Sequence, residues 1–254
     1  EALGDEGIDV ATNCRNIIPA VYLSTAKDQI KAKNYDAAVE QLNKAIEAAG
    51  KYENADVTAD ANELMPQVYV SKGNDFLQEK SFPEAEAAYR QALELDAANG
   101  MAAFRLGQAL QQQNKIAEAE AAYVQAAANG QEKNAVPRLA NIALMKAKAA
   151  IKGKKYQEAY DLANVSLGYE AASNAYETAG DAAKGLKKSD EAISLYEKAL
   201  EGAKPKAANQ IKYKIATTAQ EMGDKAKAIE YYTAIAGDPN FAEFANYQIK
   251  ELSK

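Results

Sequence analysis

One pattern recurs six times along this chain of 254 residues, and it constrains the fold more than any other feature. In its clearest copies a small residue is followed four positions later by tyrosine and three positions after that by alanine, as in Ala85, Tyr89 and Ala92. The six leading small residues lie 33 to 47 residues apart: Ala38, Ala85, Ala119, Ala159, Ala192 and Ala228. Offsets of four and three place all three residues of a copy on one face of a helix.

The spacing of the copies predicts pairs of helices. A unit of about 34 residues holds two helices of three to four turns and two short turns. One hairpin of this size cannot bury its apolar face alone, so the hairpins are expected to stack. The alanine-rich composition, with 14 glycines and 6 prolines, agrees with an all-helical chain.

The units resemble tetratricopeptide repeats, a family of helix–turn–helix units of 34 residues. The best match is the unit 66–99, in which Gly73 and Phe76 stand where the family has glycine and an aromatic residue on the first helix. The Ala85 trio named above stands on the second helix. The resemblance implies an all-α fold of the bacterial type: a right-handed α-α superhelix, or TPR-like solenoid, of antiparallel helix hairpins.

The repeat register divides the chain into three parts. Residues 1–18 form an N-terminal extension, residues 19–242 hold six repeats, and residues 241–254 form a C-terminal capping helix. The repeats are expected at about residues 19–52, 66–99, 100–133, 140–173, 173–206 and 209–242.

The register also makes predictions about connections, prolines and glycines. Residues 51–65 and 131–139 are expected to form longer connections between repeats. No proline is expected inside a helix, because Pro19 and Pro66 would open first helices. Glycines near the ends of second helices, Gly50, Gly100, Gly130 and Gly237, are expected to act as C-terminal caps.

The residue types that the chain lacks exclude several classes of catalytic site. Without histidine there is no Ser-His-Asp or Cys-His nucleophile and no imidazole metal site. The one cysteine, Cys14, excludes an intramolecular disulfide, and its thiol is expected to be buried or inert. Neither glycine-rich phosphate-loop signature occurs. We therefore expect no enzyme activity, no cofactor and no metal site.

Two charged clusters leave alternatives open. Glu177 and Asp181 would share one helix face, where they could hold a cation or a basic residue of a partner, or simply be exposed acids. The lysines from Lys146 to Lys155 could contact phosphate or an acidic partner, although a solvated helix end is the simpler interpretation. Since the net charge is −6, the chain is not expected to bind nucleic acid.

The sequence predicts no membrane span, because no window approaches 18 consecutive apolar residues. The first residue is Glu1 rather than methionine, which is consistent with a removed export signal. The cell envelope or periplasm is therefore favoured as the location, with the cytoplasm as the alternative.

The resemblance further implies a concave groove, lined mainly by first helices, in which proteins of this family hold a peptide or a helix. The register places the following residues in its lining: Val70, Asn74, Leu77, Gln78, Met101, Phe104, Gln108, Gln111, Gln112, Asn141, Leu144 and Lys148. Carboxamides could bond a peptide backbone, and Phe104 and Val70 would be apolar anchors. Val70 also stands where carboxylate-clamp repeats have lysine, so a clamp for chaperone tails is not expected.

The sequence as a whole predicts a non-catalytic scaffold that binds a protein or peptide in this groove. The alternative is a self-assembly or docking module of a larger protein or complex. Self-association into a homo-oligomer is left open.

Overall fold

The computed structural model describes the backbone of residues 4–254 and the side chains of residues 12–254. This part of the chain is helical and contains no strand. Its α-helices are α1 Gly4–Lys31, α2 Tyr35–Lys51, α3 Ala55–Gln78, α4 Phe82–Leu95, α5 Gly100–Gln112, α6 Ile116–Ala126, α7 Glu132–Lys152, α8 Tyr156–Tyr169, α9 Ser173–Gly185, α10 Ser189–Glu201, α11 Pro205–Met222, α12 Lys225–Thr233 and α13 Ala242–Leu252.

The chain divides into two compact units, residues 1–135 (unit 1) and residues 136–254 (unit 2). In unit 1, each helix from α1 to α6 packs against the next one along the chain. In unit 2, the helices from α8 to α13 do the same, and Ser166 of α8 donates a hydrogen bond to the Ala140 carbonyl oxygen of α7 at 2.9 Å. The prediction of an all-α fold built from helix hairpins is confirmed.

The turn inside every hairpin has the same backbone conformation. Its central residue is left-handed, with φ between 56° and 88°: Lys33, Lys80, Asn114, Lys154, Lys187 and Gly223. The amide of the next residue donates to the carbonyl five residues earlier, as from Ser81 to Phe76 at 2.9 Å. This Schellman motif satisfies carbonyl groups at the end of the first helix. The left-handed residue always lies five positions before the leading small residue, so the turn follows the register of the repeat.

Tyrosines of second helices pack directly on glycines of the first helix in the same hairpin. The pairs are Gly73 with Tyr89, Gly107 with Tyr123, and Gly180 with Tyr196. A Cβ at Gly107 would lie 2.6 Å from Cε1 of the Tyr123 ring, closer than packed atoms can approach. The tyrosine rings are fully buried, as are the alanines on either side of them in the pattern.

The two predicted longer connections are wrong, because both segments are largely helical. α3 begins at Ala55 and α7 begins at Glu132. In α3, Val57, Ala61 and Met65 recur every four residues and join a buried cluster with α2. Extra turns of helix place apolar residues at this spacing on one face, where they can be buried. A loop would leave the same residues exposed.

The expectation that no proline lies inside a helix is also wrong. Pro19, Pro66 and Pro137 lie within α1, α3 and α7. A proline in a helix interior removes one backbone hydrogen bond. Pro19 and Pro66 are themselves buried, and this burial of apolar surface offsets part of that cost.

Two of the predicted glycine caps have other roles. Gly50 lies within α2, and the left-handed residue after that helix is Glu53, with φ 59°. Gly100 is buried at the start of α5, where a Cβ would lie 2.0 Å from the backbone oxygen of Asn129. Gly100 therefore permits a close backbone approach instead of ending a helix.

Features near the two ends of the chain complete the fold. Residues 4–18 belong to α1, while the division into extension, six repeats and cap stays a prediction. Cys14 is exposed, so the expectation that its thiol is buried is wrong, while an inert thiol stays a prediction. Ala245 of α13 is buried in a cluster that also holds Tyr232.

No helix in the described part of the chain is long and apolar enough to cross a membrane.

Candidate functional site

The predicted lining residues of unit 1 lie on α3 and α5, which contact each other. Met101 is 41% exposed, and Gln78 and Gln112 are also exposed. Val70 and Leu77 are half-buried, so each presents only part of its apolar side chain to solvent. This face of unit 1 is therefore a mixed surface of amides and small apolar patches.

Carboxamides of this face bind tyrosines of the second helices. The Tyr89 hydroxyl donates to Oδ1 of Asn74 at 2.8 Å, and the Tyr123 hydroxyl donates to Oε1 of Gln111 at 2.9 Å. Each amide uses its oxygen in this bond and keeps its NH₂ group as a donor. The tyrosines thus fix the orientation of the amide side chains.

Phe104, predicted as an anchor, is only 9% exposed. Its ring lies 5.6 Å from the Tyr123 ring, centroid to centroid, and contributes to the core. Little of this side chain is left for a partner to contact.

Arg105, beside it, is a half-buried cation that the predicted lining did not include. Its Nη1 donates to Oε1 of Gln108 at 2.9 Å, and its buried Nε has no hydrogen-bond partner. Gln108 is thereby oriented by the guanidinium.

In unit 2, three predicted lining residues meet in one surface pocket of about 460 Å³. The lining of this pocket, called the α7–α9 pocket below, is Asn141, Leu144, Met145, Lys148, Ala149 and Lys152 of α7 with Asn174 of α9. Leu144 is buried beneath the pocket, whereas Met145 is 48% exposed. The pocket therefore combines two carboxamides, an exposed thioether and two amines, with no carboxylate in its lining.

Glu177 and Asp181 of α9 are bound by a basic residue of the chain itself. Nζ of Lys214, on α11, lies 2.7 Å from carboxylate oxygens of both residues. Asp181 also accepts a 2.8 Å hydrogen bond from the Tyr196 hydroxyl. Both acids are half-buried, so the interpretation as simple exposed acids is wrong.

The charges of this cluster reinforce each other. Burial on its own would lower the pKa of Lys214, but the adjacent Asp181 and Glu177 carboxylates outweigh it and raise that pKa. Burial, followed by the charge and hydrogen bond of Asp181, raises the pKa of Tyr196. Lys214 is therefore held as a cation and Tyr196 as a neutral hydrogen-bond donor.

A larger cavity of about 690 Å³ lies in unit 1 between the α1–α2 turn and α3. Most of its charged groups are paired within the chain: Asp75 accepts from Lys33 at 3.1 Å and from the Tyr35 hydroxyl at 2.8 Å. These two bonds hold the pKa of Asp75 below its ordinary value. Burial, with the help of Asp75, raises the pKa of Tyr35 to about 12. The network joins the first two hairpins and leaves little unpaired charge for a ligand.

The register could have found one of the pocket residues that the prediction missed. Asn174 lies 33 residues after Asn141, at the equivalent place in the next repeat. Met145 follows Leu144 and was missed. The register assigned only one of the two residues to the lining, but the helix face is wide enough for both to line the pocket. Arg105 had no signal in the pattern, because its burial depends on packing.

Comparison with protein families agrees with this architecture. A family model described as tetratricopeptide repeat matches residues 70–135, and a second with the same description matches residues 173–201 and 210–236. The chain carries tetratricopeptide repeats. The matched ranges include the Gly–Tyr hairpins of both units, and the predicted resemblance is confirmed.

Several solved structures resemble the chain at low sequence identity. The Pseudomonas aeruginosa PilF structure shares 17% identity, covers 92% of this chain and 99% of its own, and has a TM-score of 0.44. YrrB, described as a TPR protein with an unusual peptide-binding site, shares 20% identity, covers 71% and 91%, and has a TM-score of 0.45. MamA from Desulfovibrio magneticus RS-1 shares 17% identity, covers 67% and 92%, and has a TM-score of 0.43. No curated protein sequence matches.

Stacked tetratricopeptide repeats form extended surfaces that serve in general as protein-interaction scaffolds. The repeats of this chain support that general role.

Proposed function

We propose that this protein is a non-catalytic scaffold that binds a peptide segment of a partner protein on the faces of its first helices. In unit 1 these faces hold the predicted residues of α3 and α5. In unit 2 they form the α7–α9 pocket, where the peptide would contact Asn141, Met145 and Lys148.

The α7–α9 pocket is the observation that carries this proposal. It gathers predicted lining residues in one concavity whose volume lies in the range of ligand sites, about 300–1,000 Å³. Its amide groups offer donors and acceptors that match a peptide backbone, and Met145 adds an adaptable apolar contact.

A bulky side chain at the exposed Ala149 should block the pocket without disturbing the core. Peptides are first selected on the wild-type protein from a phage-displayed library of random dodecapeptides. We expect Ala149→Trp to weaken their binding at least about tenfold, because the indole occupies the space of the peptide. Binding is measured by fluorescence anisotropy with the labelled peptides.

The matched control is Ala226→Trp, at an exposed alanine of the second helix α12. Both variants should retain the wild-type helical circular dichroism. Equal binding by all three proteins would show that the peptides bind elsewhere, and a selection that yields no peptide would overturn the proposal.

One observation favours the alternative of a self-assembly module. Ile17 and Val21 of α1 are 57% and 54% exposed and, with Ile18, form an apolar stripe on that helix. A molecular mass that rises with protein concentration would support this alternative.

A further inference from the structure

Unit 2 presents two lysines whose charges the chain leaves unneutralised. Lys148 and Lys152 are exposed, lie one helical turn apart on α7, and line the α7–α9 pocket. Across residues 12–254 neither side chain forms an ion pair or a hydrogen bond.

Some lysines on other first helices are neutralised within the chain. Lys72 of α3 pairs with Asp36, and Lys184 of α9 pairs with Glu221 at 2.9 Å. Lys148 and Lys152 have no such partner among the described residues, and they differ from other unpaired lysines in lining one pocket together.

The acidic side chains of the adjacent helix α9 do not serve as counterions for the pocket. Glu177 and Asp181 are both paired at 2.7 Å with Lys214, which lies on α11, a later helix of the chain. Lys214 thereby also offsets the negative charge that would repel an acidic ligand next to Asn174.

We propose that the α7–α9 pocket binds an acidic, extended segment of a partner protein, with two carboxylates of the segment paired to Lys148 and Lys152. The inference rests on the proposed scaffold function and adds the chemistry of the partner.

The spacing of the two lysines suits such a segment. Residues four apart on a helix have Cβ atoms about 5–6 Å apart. Alternate side chains of an extended peptide are about 6.6–6.8 Å apart on one side, so carboxylates at positions i and i+2 can reach both amines. At the other end of the pocket, Asn141 and Asn174 can bond the peptide backbone.

The test is a selection from a phage-displayed library of random dodecapeptides on three proteins. These are the wild type, the Lys148→Gln, Lys152→Gln double variant, and a Lys225→Gln, Lys250→Gln control. The control removes the same charge from exposed, unpaired positions on α12 and α13. All substitutions are at exposed lysines, so the three proteins should fold alike, which circular dichroism checks.

We expect wild type and control to enrich peptides with Asp or Glu at alternate positions, and the pocket variant to lose that enrichment. A selected acidic peptide should bind the pocket variant about three- to tenfold more weakly at low ionic strength, the size expected for two exposed ion pairs. The difference should shrink at about 0.5 M salt because screening weakens exposed pairs.

The outcomes separate this inference from the proposed function. Peptides that bind without acidic enrichment, or that bind the pocket variant equally well, would overturn the acidic partner and leave the scaffold proposal intact. In a further outcome, the Lys225→Gln, Lys250→Gln control loses as much binding as the pocket variant. That result would show a non-specific charge effect and would also overturn the acidic partner. A library that yields no binder overturns both proposals.

Discussion

At the scale of single residues, the Gly–Tyr pair is the most specific contact of the fold. The glycine of the first helix allows the tyrosine ring to lie against its backbone, and the ring then directs its hydroxyl to a polar side chain on the same helix. In unit 1 this acceptor is Asn74 or Gln111, and in unit 2 it is Asp181. A core contact thus orients side chains on the face where we propose that partners bind.

Gly107→Ala should destabilise the protein by about 1–3 kcal/mol. The added Cβ would lie 2.6 Å from the Tyr123 ring, which overpacks the core. The matched control is Gly168→Ala in α8, where a Cβ meets nothing within 4 Å. That control should stabilise by about 0.5–1 kcal/mol, since alanine is the better helix former. Urea unfolding measures both, and a neutral Gly107→Ala would show that the ring can move aside.

At the scale of elements, the helix ends depend on backbone conformation more than on residue type. Of the six left-handed turn residues, four are lysines, one is asparagine and one is glycine. A β-carbon makes this conformation costly, by about 1–2 kcal/mol. Most of these turns therefore lack the glycine that usually marks a helix end in a sequence. The helix ends could be predicted only from the repeat register.

Replacing one of these lysines by glycine should strengthen its hairpin. Lys80 has φ 62° in the α3–α4 turn and is exposed. We expect Lys80→Gly to raise the free energy of unfolding by up to about 1 kcal/mol, because strain relief exceeds the added chain entropy. Lys80→Ala keeps the β-carbon and should change little. Chemical unfolding compares the three proteins, and an equal gain for Lys80→Ala would assign the effect to the lost lysine side chain.

At the scale of the whole molecule, polar networks connect successive hairpins within each unit. In unit 1, Glu86 of α4 binds Lys115 at 2.8 Å and Gln113 at 2.8 Å, both in the α5–α6 turn. Arg90 adds a contact at 2.9 Å. Burial alone would raise the pKa of Glu86, but these partners outweigh it, so the pKa lies below its ordinary value of 4.5.

The stability of the protein should therefore depend on Glu86 in a pH-sensitive way. A carboxyl group with a depressed pKa in the folded state stabilises fully above its unfolded pKa, and the stabilisation is lost as pH falls below about 4.5 and through the folded value. We expect Glu86→Gln to destabilise by about 1–2 kcal/mol at pH 7, and the difference from wild type to shrink below pH 4.5.

Glu84→Gln, which changes an exposed acid on the same helix, is the control and should have little effect at either pH. Denaturation midpoints between pH 3 and 7 measure the profile. A difference between Glu86→Gln and wild type that stays constant with pH would contradict the ionic role of Glu86.

Much of the architecture follows from short-range pattern. The offsets of three and four around Ala85, Ala119 and Ala192 predict one helix face, and their recurrence predicts hairpins. This works because close helix packing needs small residues at regular intervals, and such intervals are visible in a sequence. The lining of the α7–α9 pocket was partly predictable for the same reason.

The sequence by itself determined that the chain is all-helical, that it is built of hairpins and that Asn141, Leu144 and Lys148 share a face. Only the tertiary structure decided that α3 and α7 extend through Pro66 and Pro137, that Phe104 is buried against Tyr123, and that Lys214 binds Glu177 and Asp181. The physical reason is the separation along the chain between the residues that interact. Helix periodicity is set within a few residues, whereas burial and charge pairing depend on partners that lie tens of residues away.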